Sequence, residues 1–274
     1  MSRTIARAVT GIIRTLLAPL SARQQRRVIA RVVENLERLD LATVQTARGT
    51  LRFRQLRGSF LASAVARFHT DEPETLAWID TFRPGERLWD IGANVGIYAL
   101  YAGLDPELTV LAFEPSGFNF GPLVDHIALN NMGARVSPLC VALGNHRGLP
   151  SLYMRHMDAG HGSNALGAAT NTFGAFEPVF AQTVPAFSID DFRATFNLPA
   201  PHHIKIDVDG IECEILRGAE RTLPEVQSVM MEVEGTTGMA HAPEMTQRLA
   251  DAGLMEVLEV RTQGSARNRL YRRG

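Results

Sequence analysis

The chain has 274 residues, of which 45% are hydrophobic, and its formal net charge is −1 at pH 7. This length can bury a substantial core and favours one large domain with an N-terminal extension over two equal domains. The near-neutral charge argues against a general nucleic-acid binder. Cys140 and Cys213, the only cysteines, lie in apolar runs, which is typical of reduced core thiols in a cytoplasmic protein rather than of a disulfide scaffold.

The N-terminal segment is basic and amphipathic. Before Glu34 it contains seven arginines and no acid. Apolar residues recur at helical spacing from Ile5 onward and predict a helix that Pro19 ends, and Ser21 with Gln24 predicts a capping box for a second helix. The segment is too short and too charged to span a bilayer. Packing on the domain, homo-oligomerisation through these helices, and peripheral contact with an anionic membrane are the alternatives.

A short hairpin is predicted next, with strands at 44–46 and 51–56 and its turn at Arg48 and Gly49. We therefore assign residues 1–70 to an N-terminal helical and hairpin extension and residues 71–274 to the cofactor-binding domain. The helices and the hairpin predicted before residue 87 lie upstream of the cofactor unit, and from Arg87 the pattern alternates strand and helix on either side of a less regular middle.

The alternation from Arg87 onward predicts the fold class. Strands are expected at 88–91, 110–113, 136–143, 204–208 and 226–233, helices at 95–102, 119–130, 212–221 and 243–252, and a closing hairpin at 254–260 with 269–272. This order predicts an α/β fold with a Rossmann-like, mostly parallel seven-stranded sheet, helices on both faces and a C-terminal antiparallel hairpin. Residues 151–187 are glycine-rich without clear periodicity, and we expect them to cover the substrate.

The run at residues 88–96 predicts a nucleoside cofactor. A strand ending in Asp90 precedes a glycine loop, and the next strand ends at Glu114, about twenty residues later, the offset of a ribose-binding acid. The loop reads G-x-x-x-G rather than the G-x-G-x-x-G of a pyrophosphate site. S-adenosylmethionine has an ammonium, a sulfonium and a ribose diol but no phosphate, so we predict this cofactor, with Asp90 near its amino-acid end and Glu114 on its ribose. A tight βα turn without a ligand is the alternative.

A second group of charges follows Ile204. Lys205, Asp207 and Asp209 alternate with apolar residues, so they are expected on one face of a central strand, near its carboxyl end, where open α/β sheets bind ligands. Lys205 is the only lysine of the chain. It is interpreted either as part of the site or as a buried partner of Asp207 or Glu232.

No other chemistry is indicated by the sequence. None of the eight histidines shows zinc-site spacing with a carboxylate or cysteine, and there is no G-x-S-x-G elbow and no Walker loop. We predict no metal; a divalent ion bridging Asp207, Asp209 and Glu232 is the alternative.

These motifs together resemble the FkbM-type methyltransferase family, which pairs a DIGAN-x-G loop with a later KIDVEG-x-E segment. The matching residues run from Asp90 through Gly92, Ala93 and Asn94 to Gly96, and from Lys205 to Glu212, with Glu114, Pro115, Asn119 and Ala142 between them. The resemblance covers about residues 72–234. Asp209 departs from it, because the family usually has Glu there, a side chain one methylene longer.

The resemblance implies a Rossmann-like S-adenosylmethionine-dependent methyltransferase that acts on oxygen. Its expected cofactor-binding residues are Asp90, Gly92, Ala93, Asn94, Gly96, Glu114, Pro115 and Ala142. Asp207 and Asp209 are the candidates for the base or for orienting the substrate, with Lys205 holding the pair. The expected acceptor is a hydroxyl of a sugar, a glycolipid or a secondary metabolite.

Two other functional classes compete with this hypothesis. One is a non-catalytic nucleoside-binding assembly module, and the other is a nicotinamide-dependent oxidoreductase. We expect a small-molecule or glycan substrate, no nucleic-acid partner, and a cytoplasmic protein, with peripheral membrane contact as the variant.

Overall fold

The structure is a computed structural model that describes residues 2–55 and 59–274. In chain order its helices are α1 (Ser2–Leu17), α2 (Ala22–Leu39), α3 (Ser59–Ala66), α4 (Pro73–Ile79), α5 (Ile97–Ala102), α6 (Gly117–Leu129), α7 (Ile189–Thr195), α8 (Glu212–Arg217) and α9 (Gly235–Asp251). Short 3-10 helices lie at Leu223–Glu225 and Leu258–Thr262.

The strands are β1 (Leu41–Thr46), β2 (Gly49–Arg54), β3 (Arg87–Ile91), β4 (Thr109–Phe113), β5 (Val136–Leu139), β6 (Ala142–Gly144), β7 (Ser151–Met154), β8 (Ala165–Leu166), β9 (Thr170–Asn171), β10 (Gly174–Ala175), β11 (Phe180–Thr183), β12 (Ala186–Ser188), β13 (His203–Ile206), β14 (Ser228–Glu232), β15 (Leu254–Val257) and β16 (Asn268–Arg273).

Contacts divide the chain into two compact units, residues 1–41 and 42–274. In the first unit the predicted capping box is present: Gln24 Oε1 accepts a 3.0 Å hydrogen bond from the backbone of Ser21, whose hydroxyl accepts from the backbone of Gln24. In the second unit the hairpin of β1 and β2 packs on α6, because Arg52 exchanges two 2.8 Å hydrogen bonds with Asn130. The boundary after residue 70 stays a prediction, and Leu56 of the predicted hairpin lies outside the described residues.

The central sheet of the second unit has seven strands in the order β15-β16-β14-β13-β3-β4-β5. Neighbours from β14 to β5 are parallel, and β16 is antiparallel to both β14 and β15. The predicted mostly parallel seven-stranded sheet with a closing antiparallel hairpin is therefore confirmed.

Helices cover both faces of this sheet. Because successive residues of a strand point to opposite faces, Leu88 and Trp89 belong to two different apolar clusters. The cluster of Leu88 includes Trp78 of α4 and Leu100 of α5, and that of Trp89 includes residues of α8 and α9. The α/β class is thus confirmed by its core.

Three sequence-predicted elements differ in the structure. The expected strand 136–143 is two strands, because the chain leaves the sheet after Leu139 and β6 pairs with β12 instead; the apolar residues continue across the break and conceal it. Helix α9 begins at Gly235 and carries Pro243 in its interior, whereas the proline suggested a helix start there. The irregular stretch 151–187 contains short strands, among them the sheet β11-β7-β8.

Candidate active site

The glycine loop between β3 and α5 is pressed against the segment that follows β13. Gly92 has φ +84°, and a Cβ on it would lie 1.8 Å from the carbonyl oxygen of Asp207. Asn94 (φ 51°) and Gly96 (φ 93°) also adopt left-handed conformations. The two motifs found in the sequence are therefore in direct backbone contact, and only glycine allows it at position 92.

Glu114 fixes this loop from the end of β4. Its Oε2 accepts a 2.8 Å hydrogen bond from the backbone of Asn94, and its Oε1 accepts one of 2.8 Å from the backbone of Ser116. Burial raises the pKa of Glu114 to about 7, although these two N–H groups act in the opposite direction. The acid thus titrates near neutral pH and retains lone pairs for a ligand.

Lys205 lies at the centre of a buried charge cluster. Its Nζ is 2.6 Å from Asp207 Oδ2 and 4.0 Å from Glu72 Oε2, and it lies 4.7 Å from the ring centroid of Tyr98. Burial lowers the pKa of Lys205, but the carboxylates of Asp207, Glu72 and Asp90 outweigh burial and raise it overall. Burial likewise raises the pKa of Asp207, yet Lys205 holds it below its ordinary value. Both partners are therefore charged at neutral pH.

Two further acids beside this pair have pKa values raised above the ordinary range. Burial raises the pKa of Asp90 to about 6 against the opposing effect of Lys205, and neither of its carboxylate oxygens has a hydrogen-bond partner among the described residues. Burial and then Asp207 raise the pKa of Glu232 to about 10, although Arg267 lies 3.3 Å from it. Glu232 is therefore neutral at pH 7.

Asp209, like Asp207, lies beyond the strand, because β13 ends at Ile206. Its backbone has φ 58°, and its Oδ2 accepts a 2.6 Å hydrogen bond from the backbone of Ser163. Burial and then Asp207 raise its pKa to about 7. The expectation that Lys205, Asp207 and Asp209 share one strand face is wrong, because the strand ends before Asp207, although Asp207 still lies 2.6 Å from Lys205 Nζ.

Two cavities meet at this end of the sheet. The first is lined by residues that include Gly92, Asn94, Glu114, Ala142, Asp207 and Asp209, and it holds about 750 Å³ of empty space, part of it open to solvent. The second is lined by residues that include Phe60, Arg67, Glu72, Tyr98, Lys205 and Asp207. Gly92, Asn94 and Asp207 line both. Such adjoining pockets at the carboxyl ends of strands are where open α/β sheets bind ligands.

Most of the predicted cofactor-binding residues line one or both of these cavities. Gly92, Asn94, Glu114, Pro115 and Ala142 line the first cavity, Ala93 lines the second, and Asp90 and Gly96 line neither. Asp90 is 1% exposed, so its position is beneath the loop rather than on the cavity surface. Whether these residues bind a cofactor stays a prediction.

The glycine-rich stretch 160–164 is tied to both cavities. Gly160 donates its N–H to Asn119 Oδ1 at 2.9 Å, and Asn119 Nδ2 donates to the carbonyl of His161 at 2.9 Å. Asn94 Nδ2 donates to the carbonyl of Gly160 at 3.3 Å. His161 lines the first cavity and Phe60 lines the second, and the centroids of their rings are 3.5 Å apart. This stretch therefore borders the junction of the two cavities.

Several residues that line the two cavities belong to no motif that the sequence analysis identified. Glu72, Tyr98, Phe60 and His161 reach the site only through the tertiary fold, whereas Asn119 stood among the residues of the family resemblance.

The structure also brings Cys213, His241 and Glu244 together, with their ligand atoms within 4.8 Å. Glu244 is already paired with Arg217 and Arg248, and the absence of a metal stays a prediction.

The fold and the site define a Rossmann-like α/β protein whose cavities lie at the carboxyl ends of its parallel strands. The family model described as Methyltransferase FkbM domain matches residues 90–254. The chain belongs to the FkbM methyltransferase family. The resemblance found in the sequence is thereby confirmed, and the family points to S-adenosylmethionine as the cofactor.

Three curated relatives are similar to the chain. It is 28% identical to Hexuronic acid methyltransferase AglP of Haloferax volcanii over 191 residues, which are 70% of this chain and 69% of the relative. It is 38% identical to 31-O-demethyl-FK506 methyltransferase FkbM of Streptomyces tacrolimicus over 61 residues, which are 22% of this chain and 24% of that one. It is 26% identical to Methyltransferase sdnD of Sordaria araneosa over 187 residues, which are 60% and 71% of the two chains.

Proposed function

We propose that the chain is an S-adenosylmethionine-dependent O-methyltransferase that acts on a hydroxyl of a sugar, a glycolipid or a secondary metabolite. The observation that carries this proposal is that Asp207 lines both cavities. A methyl donor in the first cavity and an acceptor in the second would meet at one ionised carboxylate. Methyl transfer needs this proximity and alignment of donor and acceptor.

The first cavity fits the methyl donor by the chemistry of its groups. S-adenosylmethionine, when bound, supplies an electrophilic methyl group. Glu114 would accept hydrogen bonds from the ribose hydroxyls, and the buried Oδ1 of Asn94 has no hydrogen-bond partner among the described residues. Asp209 offers a carboxylate to the positive amino-acid end. Buried Asp90 would act indirectly, through Lys205 and the loop.

Asp207 is the best-placed base. It lines both cavities, and the ammonium of Lys205 at 2.6 Å keeps its carboxylate ionised and fixed in direction. As the new bond to carbon forms, the acceptor hydroxyl would pass its proton to Asp207. The neighbouring Glu232 does not compete for this proton, because its pKa is raised to about 10 and it is therefore already protonated at neutral pH.

The second cavity supports a hydroxylated acceptor. Its walls combine the aromatic rings of Phe60 and Tyr98 with the charged groups of Arg67, Asp71 and Glu72. Apolar faces with a few polar groups suit ring-shaped polyols. One relative is named for hexuronic acid, a sugar acid, and another for 31-O-demethyl-FK506, a name that indicates an oxygen acceptor; both names support this proposal.

The test compares Asp207→Asn with Glu114→Gln. For Asp207→Asn we expect kcat on a hydroxylated acceptor to fall by about 100-fold or more, because an amide cannot take the proton, while the affinity for S-adenosylhomocysteine changes far less. For Glu114→Gln we expect the affinity for S-adenosylhomocysteine to fall by about tenfold or more, while kcat changes far less.

The matched control is Asp251→Asn, which changes an exposed acid far from the cavities in sequence and should leave both constants unaltered. Calorimetry with S-adenosylhomocysteine and with NAD separates the functional classes. Binding of NAD alone would refute the proposal, and binding of S-adenosylhomocysteine without turnover of any acceptor would favour the assembly module.

A further inference from the structure

The first compact unit, residues 1–41, is strongly basic. It contains eight arginines against Glu34, Glu37 and Asp40, whereas the whole chain carries a net charge of −1. The three acids all lie in its last eight residues. The remainder of the chain is therefore acidic overall, and the positive charge is concentrated in α1 and most of α2.

Helix α1 exposes a stripe of apolar side chains. Ile5, Val9, Ile12 and Leu16 are 57%, 49%, 60% and 70% exposed. Their spacing of three and four residues places them on one face, with Arg7 and Arg14 on the opposite face. Exposed apolar stripes of this kind mark interaction surfaces rather than ordinary solvent-facing helices.

Helix α2 repeats the pattern. Its exposed apolar residues are Val28, Ile29, Val33, Leu36 and Leu39. The turn between the helices is defined, because the side chain of Gln25 donates to the carbonyls of Leu17 and Leu20 at 3.1 and 2.9 Å. None of the helices in the described part of the chain has the length and apolar character needed to cross a membrane.

We propose that the helices α1 and α2 bind the surface of an anionic lipid bilayer. Apolar side chains enter the interface region while arginines on the polar face reach lipid phosphates, the pattern of interfacial amphipathic helices. The net positive charge of this unit complements an anionic lipid surface, whereas a second copy of the unit carries charge of the same sign, so charge complementarity favours the lipid surface over self-association. This inference goes beyond the proposed methyltransferase activity and does not depend on it.

The experiment measures co-sedimentation of the full-length chain with vesicles. One set contains phosphatidylcholine alone, and the other contains about a third phosphatidylglycerol. We expect binding to the anionic set only, and we expect about 0.5 M salt to weaken it. The double variant Ile12→Glu with Leu16→Glu should lower the partition coefficient by about tenfold or more, because the apolar contact is lost and the net positive charge of the unit falls. Both side chains are exposed, so folding should be preserved.

The control is Leu149→Glu, which places one such charge at another exposed leucine, 74% accessible and outside this unit. It should bind like the unaltered chain. Equal binding to neutral vesicles, equal binding of the Ile12 and Leu16 variant, or a chain that forms a dimer through these helices and ignores both vesicle sets would each overturn the proposal. Light scattering of the lipid-free chain distinguishes the dimer.

Discussion

Lys205 shows what a single residue contributes to this site. It is the only one of the 28 basic residues that is not arginine, and it is 1% exposed. An ammonium needs fewer acceptors than the five N–H groups of a guanidinium, which suits a space where Asp207 is its close partner. The sequence left Asp207 and Glu232 as alternative partners. The structure pairs Lys205 with Asp207 and places Arg267 against Glu232.

Lys205→Met should therefore destabilise the fold. Removal of the cation leaves Asp207, Glu72 and Asp90 without their common counter-charge, and we expect the free energy of unfolding to fall by about 3–5 kcal/mol. Urea denaturation measures this loss. The double variant Lys205→Met with Asp207→Asn should recover part of it, since it also removes the unpaired carboxylate. A Lys205→Met variant as stable as the unaltered chain would contradict the assigned role.

At the scale of elements, the glycine loop that follows β3 packs against the segment that follows β13. Substitution of Gly92 tests this contact. Gly92→Ala places a methyl group 1.8 Å from a backbone oxygen that cannot move aside. Gly85 has nearly the same φ, +82°, but a Cβ added there would meet no atom within 4 Å. We expect Gly85→Ala to cost about 1 kcal/mol of stability from backbone strain alone.

Gly92→Ala should cost clearly more than this control and should abolish binding of S-adenosylhomocysteine, because the loop must move away from Asp207. Thermal unfolding and calorimetry on both variants supply the comparison. If the two alanine variants lost the same stability and both kept the ligand, the close packing of the two motifs would have no energetic importance.

The elements that carry the motifs were predictable because their ends coincide with chemical signals. Asp90 and Glu114 lie at or next to strand ends, and both strands were located within a residue of their bounds. The separation of β5 from β6 was not predictable, because apolar residues continue through the break. The positions of Glu72 and Tyr98 beside Lys205 were not predictable either, since these contacts join residues distant in sequence through helices packed on the sheet.

The whole molecule concentrates buried acids at one edge of its sheet. Burial raises the pKa values of Glu114 and Asp209 to about 7 and that of Asp90 to about 6. An acid whose pKa is raised by folding takes up protons on folding in the interval between its unfolded and folded pKa values. These acids therefore reduce the stability of the ligand-free fold as the pH rises from about 4 to about 7. Such a cost is typical of sites shaped for a ligand.

A ligand that needs the ionised acids should then bind more tightly at higher pH. Ribose hydroxyls donate to the charged form of Glu114, and with a pKa of about 7 its ionised fraction rises about tenfold from pH 6 to pH 8. We expect the affinity for S-adenosylhomocysteine, measured by calorimetry, to rise by at least this factor, because ionisation of Asp209 adds to it. Glu114→Gln should reduce this dependence to the part that Asp209 contributes, whose pKa is also raised to about 7, whereas Asp90→Asn should preserve it because Asp90 lines neither cavity. An unaltered chain whose affinity is constant over this range would show that Glu114 does not contact the ribose.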